Sequence, residues 1–110
     1  MSENALRTIL GSDTHIFVAT DDGCIVGTVL LCTIYTLSGQ KDSIEDVMVD
    51  VHYRRRGIAE KLMKMAEDIS QAGPAKSLTL TSNASRTSAR ALYAKLGYEE
   101  RDTGVFCKVW

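Results

Sequence analysis

Residues 44–59 have the sequence IEDVMVDVHYRRRGIA, and the periodicity of the chain changes within them. Up to Val49 the segment is rich in valine and isoleucine, as expected for a strand. From Ile58 onward, apolar residues recur at steps of four and three residues, which marks one face of a helix. That stripe consists of Ile58, Leu62, Met65, Ile69 and Ala72. Gly73 and Pro74 end the helix, so the segment predicts a strand, a short turn and a helix.

Three strands are predicted up to this turn, with connections too short for crossover helices, so they form an antiparallel meander. They cover residues 15–20, 24–37 and 43–49, joined by a turn at residues 21–23 and a polar loop at residues 38–42. Residues 3–10 are predicted to be weakly helical.

The segment after the first helix predicts a short strand at residues 76–80, which makes strand, helix and strand a βαβ unit with two parallel strands. A second helix follows, with Ala89, Leu92, Tyr93 and Leu96 on one face. Ser85 is predicted as its N-cap, and Gly97 as its C′ glycine. Residues 98–110 are predicted to form a hairpin. Cys107 and Trp110 in its final strand are candidates for an interface, and burial in the same sheet is the preferred interpretation. The predicted fold is therefore α/β (α+β), a mixed sheet in one domain spanning residues 1–110.

Composition excludes several classes of protein. The 110 residues are 45% hydrophobic and 25% charged, which is ordinary for one globular domain. The net charge of −1 argues against a protein built to bind nucleic acid or an anionic membrane. No run of about 20 apolar residues and no signal peptide are visible, so we expect a cytoplasmic protein.

Cysteine and histidine usage gives no indication of a metal site. The three cysteines are odd in number and form no C-x-x-C pair, which favours reduced thiols. His15 and His52 lack the closely spaced partners that a metal site requires. We therefore expect no metal.

The turn before the first helix has the features of an anion site. Backbone N–H groups at a helix start lack intrahelical acceptors, and the helix dipole adds partial positive charge there. Gly57 and Ala59 are small enough for a ligand to approach the backbone, and Arg54, Arg55 and Arg56 add phosphate-binding groups. This pattern predicts a phosphate or pyrophosphate site, although a solvated basic turn would have the same arginines. The P-loop and the G-x-G-x-x-G fingerprint are absent.

Two motifs together resemble those of the GNAT superfamily of acetyl-CoA-dependent N-acetyltransferases. Arg54-x-x-Gly57-x-Ala59 is similar to the family signature Arg/Gln-x-x-Gly-x-Gly/Ala. Residues 81–98 resemble the family's C-terminal motif, in which an Asn precedes a helix ending in A-x-x-x-Y-x-K-x-G-[FY]. The matching residues are Asn83, Ala89, Tyr93, Lys95, Gly97 and Tyr98.

The resemblance implies roles for residues at matching positions. The backbone of Val47, Met48 and Val49 would bind the pantetheine arm of acetyl-CoA, as would the Asn83 side chain, with Ser85 and Arg86 reaching it from the helix start. The loop amides would bind the pyrophosphate; the loop residues are Arg54, Arg55, Arg56, Gly57, Ile58 and Ala59. Tyr93 would lie beside the sulfur and act as the acid.

Acetyl transfer to an amine also needs a base and an oxyanion donor. An alkyl amine has a pKa near that of lysine, about 10.4, so a base must remove its proton. Glu45 is our candidate base, and a solvent-facing role is its alternative. Because Glu45 and Asp46 are consecutive on a strand, at most one should face the cleft. A backbone N–H near Val49 is the candidate oxyanion donor.

We therefore expect an N-acetyltransferase that transfers acetyl from acetyl-CoA to a small-molecule or peptide amine in a ternary complex. The alternatives are a non-catalytic acetyl-CoA-binding or regulatory module and, third, an anion or nucleic-acid binder. Only about ten residues precede the first predicted strand, fewer than the family usually has. The acceptor side is then either open or completed by a second subunit in a homodimer.

Overall fold

A computed structural model describes the backbone of residues 4–9 and the backbone and side chains of residues 13–82 and 85–110. The strands are β1 (Asn4–Ile9), β2 (Thr14–Asp21), β3 (Cys24–Thr36), β4 (Gly39–Val49) and β5 (Leu78–Leu80). The helices are α1 (Ile58–Ala72) and α2 (Thr87–Lys95), and a short 3₁₀ turn covers Val51–Tyr53.

The strands form one mixed sheet in the order β1-β2-β3-β4-β5. β1 to β4 pair antiparallel with their neighbours, and β5 pairs parallel with β4. The predicted α/β class, the antiparallel meander and the βαβ unit are confirmed. None of the described helices is long and apolar enough to span a membrane.

Two predictions about the first half of the chain were wrong. The segment predicted as a weak helix contains β1, which pairs with β2 from Asn4 opposite Thr20 to Ile9 opposite His15. Cross-strand hydrogen bonds override a weak local helical preference here. The predicted loop at residues 38–42 is strand from Gly39 onward, because the ladder extends to the pair Thr36 and Gly39. The first residues of β4 are polar, so this part of the sequence lacks the apolar alternation that predicts a strand.

The predicted C-terminal hairpin is also absent. Residues 99–110 contain no strand and are exposed throughout. Val105, Phe106, Val109 and Trp110 are each at least 82% exposed, and Cys107 is exposed as well. An isolated two-stranded hairpin is marginally stable in water, and residues 99–110 pair with no strand of the described sheet.

The core forms where α1 packs on one face of the sheet. The sheet contributes fully buried side chains such as Phe17, Val29 and Ile44, and α1 contributes Leu62 and Met63. The remaining core residues are Ala19, Val26, Leu31, Ile58, Ala66 and Tyr93. The predicted stripe of α1 thus faces the core at Ile58 and Leu62, while Met65 and Ile69 are partly buried at its border.

A buried carboxylate connects four elements at one end of the sheet. The Asp42 side chain on β4 accepts hydrogen bonds of 2.6 Å from Thr33 Oγ1 on β3 and from Ser70 Oγ on α1. Its backbone N–H donates to the carbonyl of Ser77, just before β5. Because Asp42 and Ser70 are both buried, breaking this network would leave polar groups unsatisfied.

Gly27 on β3 lies directly beneath the start of α1. A Cβ atom at this position would lie 2.9 Å from Ile58 Cγ2 and 3.3 Å from Leu62 Cδ1. Helix and strand therefore approach more closely than any larger residue would allow.

We predict that Gly27→Ala lowers the free energy of unfolding by about 1–3 kcal/mol, because the new methyl group overpacks the core. Urea denaturation would measure the change. Gly73→Ala is the matched control, since its Cβ would meet only carbonyl oxygens at 3.6 Å. Equal stabilities of the two variants would contradict the proposed close contact.

Candidate active site

A β-bulge interrupts β4 where the regular alternation of a strand was expected to continue. Thr28 pairs with Met48 but Leu30 pairs with Glu45, so β4 has one residue more than β3 in this interval. Asp46 adopts a left-handed conformation, with φ of +53°. The Thr28 hydroxyl donates a 3.1 Å hydrogen bond to the Asp46 carbonyl. The bulge redirects the backbone and the side chains that follow it.

A cleft opens between β4 and β5 beyond their short paired region. The two strands pair only from Asp42 opposite Leu78 to Ile44 opposite Leu80. The cleft measures about 400 Å³, and its walls are residues 44–48, Leu80, Thr81, Arg86 and Tyr93. The β5-facing edge of β4 beyond Ile44 therefore has no parallel strand beside it.

Two of the three acidic residues of β4, Glu45 and Asp46, line this cleft. The expectation that at most one of the two side chains faces the cleft assumed a regular strand, and the bulge at Asp46 breaks that two-residue alternation. No pattern in the sequence marks the bulge, although aspartate tolerates the left-handed conformation better than most residues do. Asp46 and Thr81 are the polar wall residues that the sequence analysis did not select.

Tyr93 on α2 lines the cleft. The residue is only 6% exposed, but its hydroxyl has no hydrogen-bond partner among the described residues. It is also not sealed from solvent, unlike the unpartnered His15 Nδ1 and Ser82 Oγ. The Tyr93 hydroxyl is thus available to a ligand in the cleft.

A second tyrosine holds Tyr93 in position. The Tyr98 ring packs edge-on against the Tyr93 ring, with centroids 6.3 Å apart. The Tyr98 hydroxyl donates a 2.6 Å hydrogen bond to Glu67 Oε2 on α1, and its backbone N–H donates to the Tyr93 carbonyl. Gly97, with φ of +95°, forms the turn between them, as predicted for a C′ glycine.

The backbone N–H groups in the first turn of α1, just after the loop from β4, have no hydrogen-bond acceptor within the helix. Lys61 N–H donates to the Gly57 carbonyl at 3.1 Å, so Ile58, Ala59 and Glu60 have no intrahelical acceptor. Gly57 is the N-cap, has φ of +77° and contributes no side-chain cap. Arg55 is also left-handed, with φ of +63°. Such left-handed turns at a helix start form anion-binding concavities.

The three arginines of this loop differ in their contacts. Arg54 Nε donates to the Val49 carbonyl at 3.4 Å. Arg56 donates to the His52 carbonyl at 3.2 Å, and its guanidinium lies 4.9 Å above the Tyr53 ring. All three arginines are exposed, and Arg54 and Arg56 are the two that brace the loop through these hydrogen bonds.

The structure brings together some of the residues predicted for the site. Glu45, Val47, Met48, Arg86 and Tyr93 line one cleft. The loop from Arg54 to Ala59 follows the same strand but does not line the cleft. Ser85 is not the N-cap of α2: that position is Arg86, with no side-chain cap, because the helix begins at Thr87. Asn83 lies outside the described residues.

Comparison with known proteins identifies the family. The profile of the acetyltransferase (GNAT) family matches residues 2–98, so this chain belongs to the GNAT family. The resemblance predicted from the two motifs is confirmed.

One relative is from Bacillus subtilis (strain 168), the uncharacterized N-acetyltransferase YhfO. It is 36% identical over 94 residues, which are 84% of this chain and 62% of that protein. The chain thus spans less than two-thirds of this relative's length.

Solved structures share the fold. An aminoglycoside acetyltransferase from an uncultured soil metagenomic sample has a TM-score of 0.79 and 25% identity, covering 91% of this chain and 68% of its own. The acetyltransferase AAC(6′)-Iy, solved with the bisubstrate analogue CoA-S-monomethyl-acetylneamine, also has a TM-score of 0.79. Its 18% identity covers 91% of this chain and 71% of its own, and at this identity the likeness concerns the fold alone.

The Tyr98–Glu67 hydrogen bond predicts a dependence of stability on alkaline pH. Burial, and then the bond to Glu67, raise the pKa of Tyr98 above its ordinary value of 10.0. The folded state therefore holds this proton more tightly than the unfolded state, and the stabilisation is complete below pH 10 and lost as the pH rises above it.

We predict that Tyr98→Phe lowers the free energy of unfolding by about 1 kcal/mol at pH 8, and by less at pH 11. Urea denaturation across this range would measure both values. A difference between the two proteins that stays constant with pH would contradict the assigned role of Tyr98.

Proposed function

We propose that this protein is an acetyl-CoA-dependent N-acetyltransferase that acetylates a primary amine by direct attack in a ternary complex. The observation that carries the proposal is the cleft between β4 and β5, which is lined by Tyr93, a tyrosine whose hydroxyl has no partner among the described residues. Family membership supports it, as does the coenzyme A analogue bound by a protein of the same fold.

The residues of the cleft and the loop fit the coenzyme. On the side of β4 that faces β5, no described strand pairs with Val47, Met48 or Val49, so backbone groups on that side can pair with the amide groups of a pantetheine arm. The unpaired N–H groups of Ile58 and Ala59 suit a pyrophosphate, because the helix dipole favours negative charge at that end.

The arginines contribute unequally to this binding. Arg55 would add charge near the phosphates directly, whereas Arg54 and Arg56 would hold the loop. Arg86 at the start of α2, with Asn83 and Ser85 before it, would contact the arm from the opposite wall. Gly57 allows the backbone to turn there because glycine adopts positive φ without steric cost.

The chemistry follows from groups in the cleft. The thioester supplies an electrophilic carbonyl, and Glu45 would accept the proton of the attacking amine, directly or through water. A backbone N–H of β4 beyond the bulge would stabilise the negative charge on the carbonyl oxygen. Tyr93 would donate its proton to the departing thiolate, whose pKa is about 8.5.

The first prediction from this proposal concerns coenzyme binding. We expect acetyl-CoA at 100 times its Kd to stabilise the protein by about 2.7 kcal/mol, measured as a rise in melting temperature. Release of thiol with a panel of amines would then show transfer. Stabilisation without thiol release would favour the non-catalytic binding module, and no stabilisation would contradict both.

The second prediction concerns Tyr93. We expect Tyr93→Phe to lower kcat by about 10²-fold or more, with little change in the Kd of acetyl-CoA, because only the proton donor is lost. Tyr35→Phe is the matched control, since that hydroxyl bonds to Asp13 on another part of the sheet. Unchanged turnover in Tyr93→Phe would exclude Tyr93 as the acid.

A further inference from the structure

The loop between β4 and α1, residues 50–57, has a backbone conformation that needs support from the rest of the protein. Arg55 and Gly57 both have positive φ, +63° and +77°, and for arginine this conformation costs free energy. Every residue of the loop is exposed except Tyr53, which is half-buried. Packing against the body of the protein therefore reaches the loop at Tyr53.

The Tyr53 side chain joins this loop to the end of β2. Its ring packs against the border of the hydrophobic core. Its hydroxyl donates a 2.7 Å hydrogen bond to Asp21 Oδ2, and a carboxylate acceptor makes such a bond stronger than one between neutral groups. The bond to Asp21 also raises the pKa of Tyr53 above 10.0, so the hydroxyl remains a donor at neutral pH. The loop after β4 is thereby attached to a strand two positions away in the sheet.

The backbone before Tyr53 is fixed as well. The Tyr53 N–H donates to the Asp50 carbonyl at 2.9 Å, and the Asp50 N–H donates to the Val26 carbonyl on β3 at 2.8 Å. The Asp50 side chain accepts a 2.9 Å hydrogen bond from the His52 N–H. These bonds hold the 3₁₀ turn against β3, so the position of the Tyr53 backbone is set from two sides.

Tyr53 in turn supports the residue before the start of α1. The Arg56 guanidinium lies 4.9 Å from the centre of the Tyr53 ring, a distance at which a cation and an aromatic ring attract each other. Arg56 Nη2 also donates a 3.2 Å hydrogen bond to the His52 carbonyl. Arg56 directly precedes Gly57, the N-cap of α1. The set of Asp21, Tyr53 and Arg56, which we call the loop clamp, thus reaches from β2 to the start of α1.

We propose that Tyr53 is a positioning residue for coenzyme binding: through the loop clamp it holds the N–H groups of Ile58 and Ala59 in the arrangement that binds a pyrophosphate. This inference rests on the proposed function, which assigns the pyrophosphate to these two groups. Tyr53 is not among the residues that line the cleft, so it acts on the coenzyme through the loop backbone. A ligand that binds one loop conformation has an apparent Kd equal to its intrinsic Kd divided by the fraction of molecules in that conformation. Without the clamp this fraction falls, and the apparent Kd rises.

Tyr53→Phe tests the clamp, because it keeps the ring that contacts Arg56 and removes only the hydroxyl. We expect the Kd of acetyl-CoA, measured by calorimetry, to rise about three- to tenfold, a range that corresponds to the loss of one hydrogen bond. The kcat at saturating acetyl-CoA should stay within about twofold of the wild-type value, because the reacting groups are untouched. Tyr35→Phe is the matched control: it loses a hydrogen bond of the same 2.7 Å length, to Asp13, and should keep the wild-type Kd.

S-acetylpantetheine separates a positioning role from general damage to the protein. This donor has the same thioester and pantetheine arm as acetyl-CoA but no pyrophosphate, so its reaction does not depend on the loop. We expect the kcat/KM for S-acetylpantetheine, measured as thiol release, to be the same for the wild type and Tyr53→Phe. An equal loss of kcat/KM with both donors would contradict the positioning role.

Equal Kd values of acetyl-CoA for the wild type and Tyr53→Phe would overturn the inference and leave acetyl transfer intact. If the wild type does not bind acetyl-CoA, the proposed function fails, and NMR spectra of the ligand-free proteins decide whether Tyr53 positions the loop. Amide signals of Gly57, Ile58 and Ala59 that shift or broaden in Tyr53→Phe, but not in Tyr35→Phe, would support it. Signals that are unchanged in Tyr53→Phe, or equally changed in Tyr35→Phe, would overturn it.

Discussion

The buried Asp42 carboxylate is the interaction on which the site geometry depends. It holds β3 and α1 through two hydroxyl donors, and its backbone joins β4 to the segment before β5. The parallel strands are thereby closed at this end, and they pair for three residues only. Four residues further along β4, the bulge at Asp46 starts the separation that forms the cleft. β4 and β5 are therefore paired at one end and separated at the other, and the separation provides the space for a ligand.

The site is built largely from backbone conformations. Asp46, Arg55 and Gly57 all have positive φ, and they lie at the bulge and in the loop before α1. Such conformations cost free energy for most residues. The N–H groups of Ile58 and Ala59 are unpaired by the helix because they lie in its first turn, directly after Gly57. Packing of α1 on the sheet, including the close contact at Gly27, stabilises this arrangement.

The parts of the fold that could be predicted from the sequence are those fixed by local pattern. The stripe from Ile58 to Ala72 predicted the extent of α1, although only Ile58 and Leu62 of its members are fully buried and Ala72 is exposed. The two motifs identified the family. The bulge could not be predicted, since it depends on pairing between β3 and β4 and not on the order of residues in β4 alone. β1 and residues 99–110 were assigned wrongly for a related reason. Whether such segments form strands is decided by partners distant in sequence.

The central claim is that the edge of β4 and the start of α1 together bind acetyl-CoA. NMR spectra of the ¹⁵N-labelled protein test it most directly, because each backbone amide gives its own signal. Our account predicts that acetyl-CoA shifts the amide signals of Val47, Val49, Ile58 and Ala59, and leaves those of β3 near Tyr35 in place. Saturating acetyl-CoA that shifts none of these four signals, or only signals elsewhere in the sheet, would contradict it.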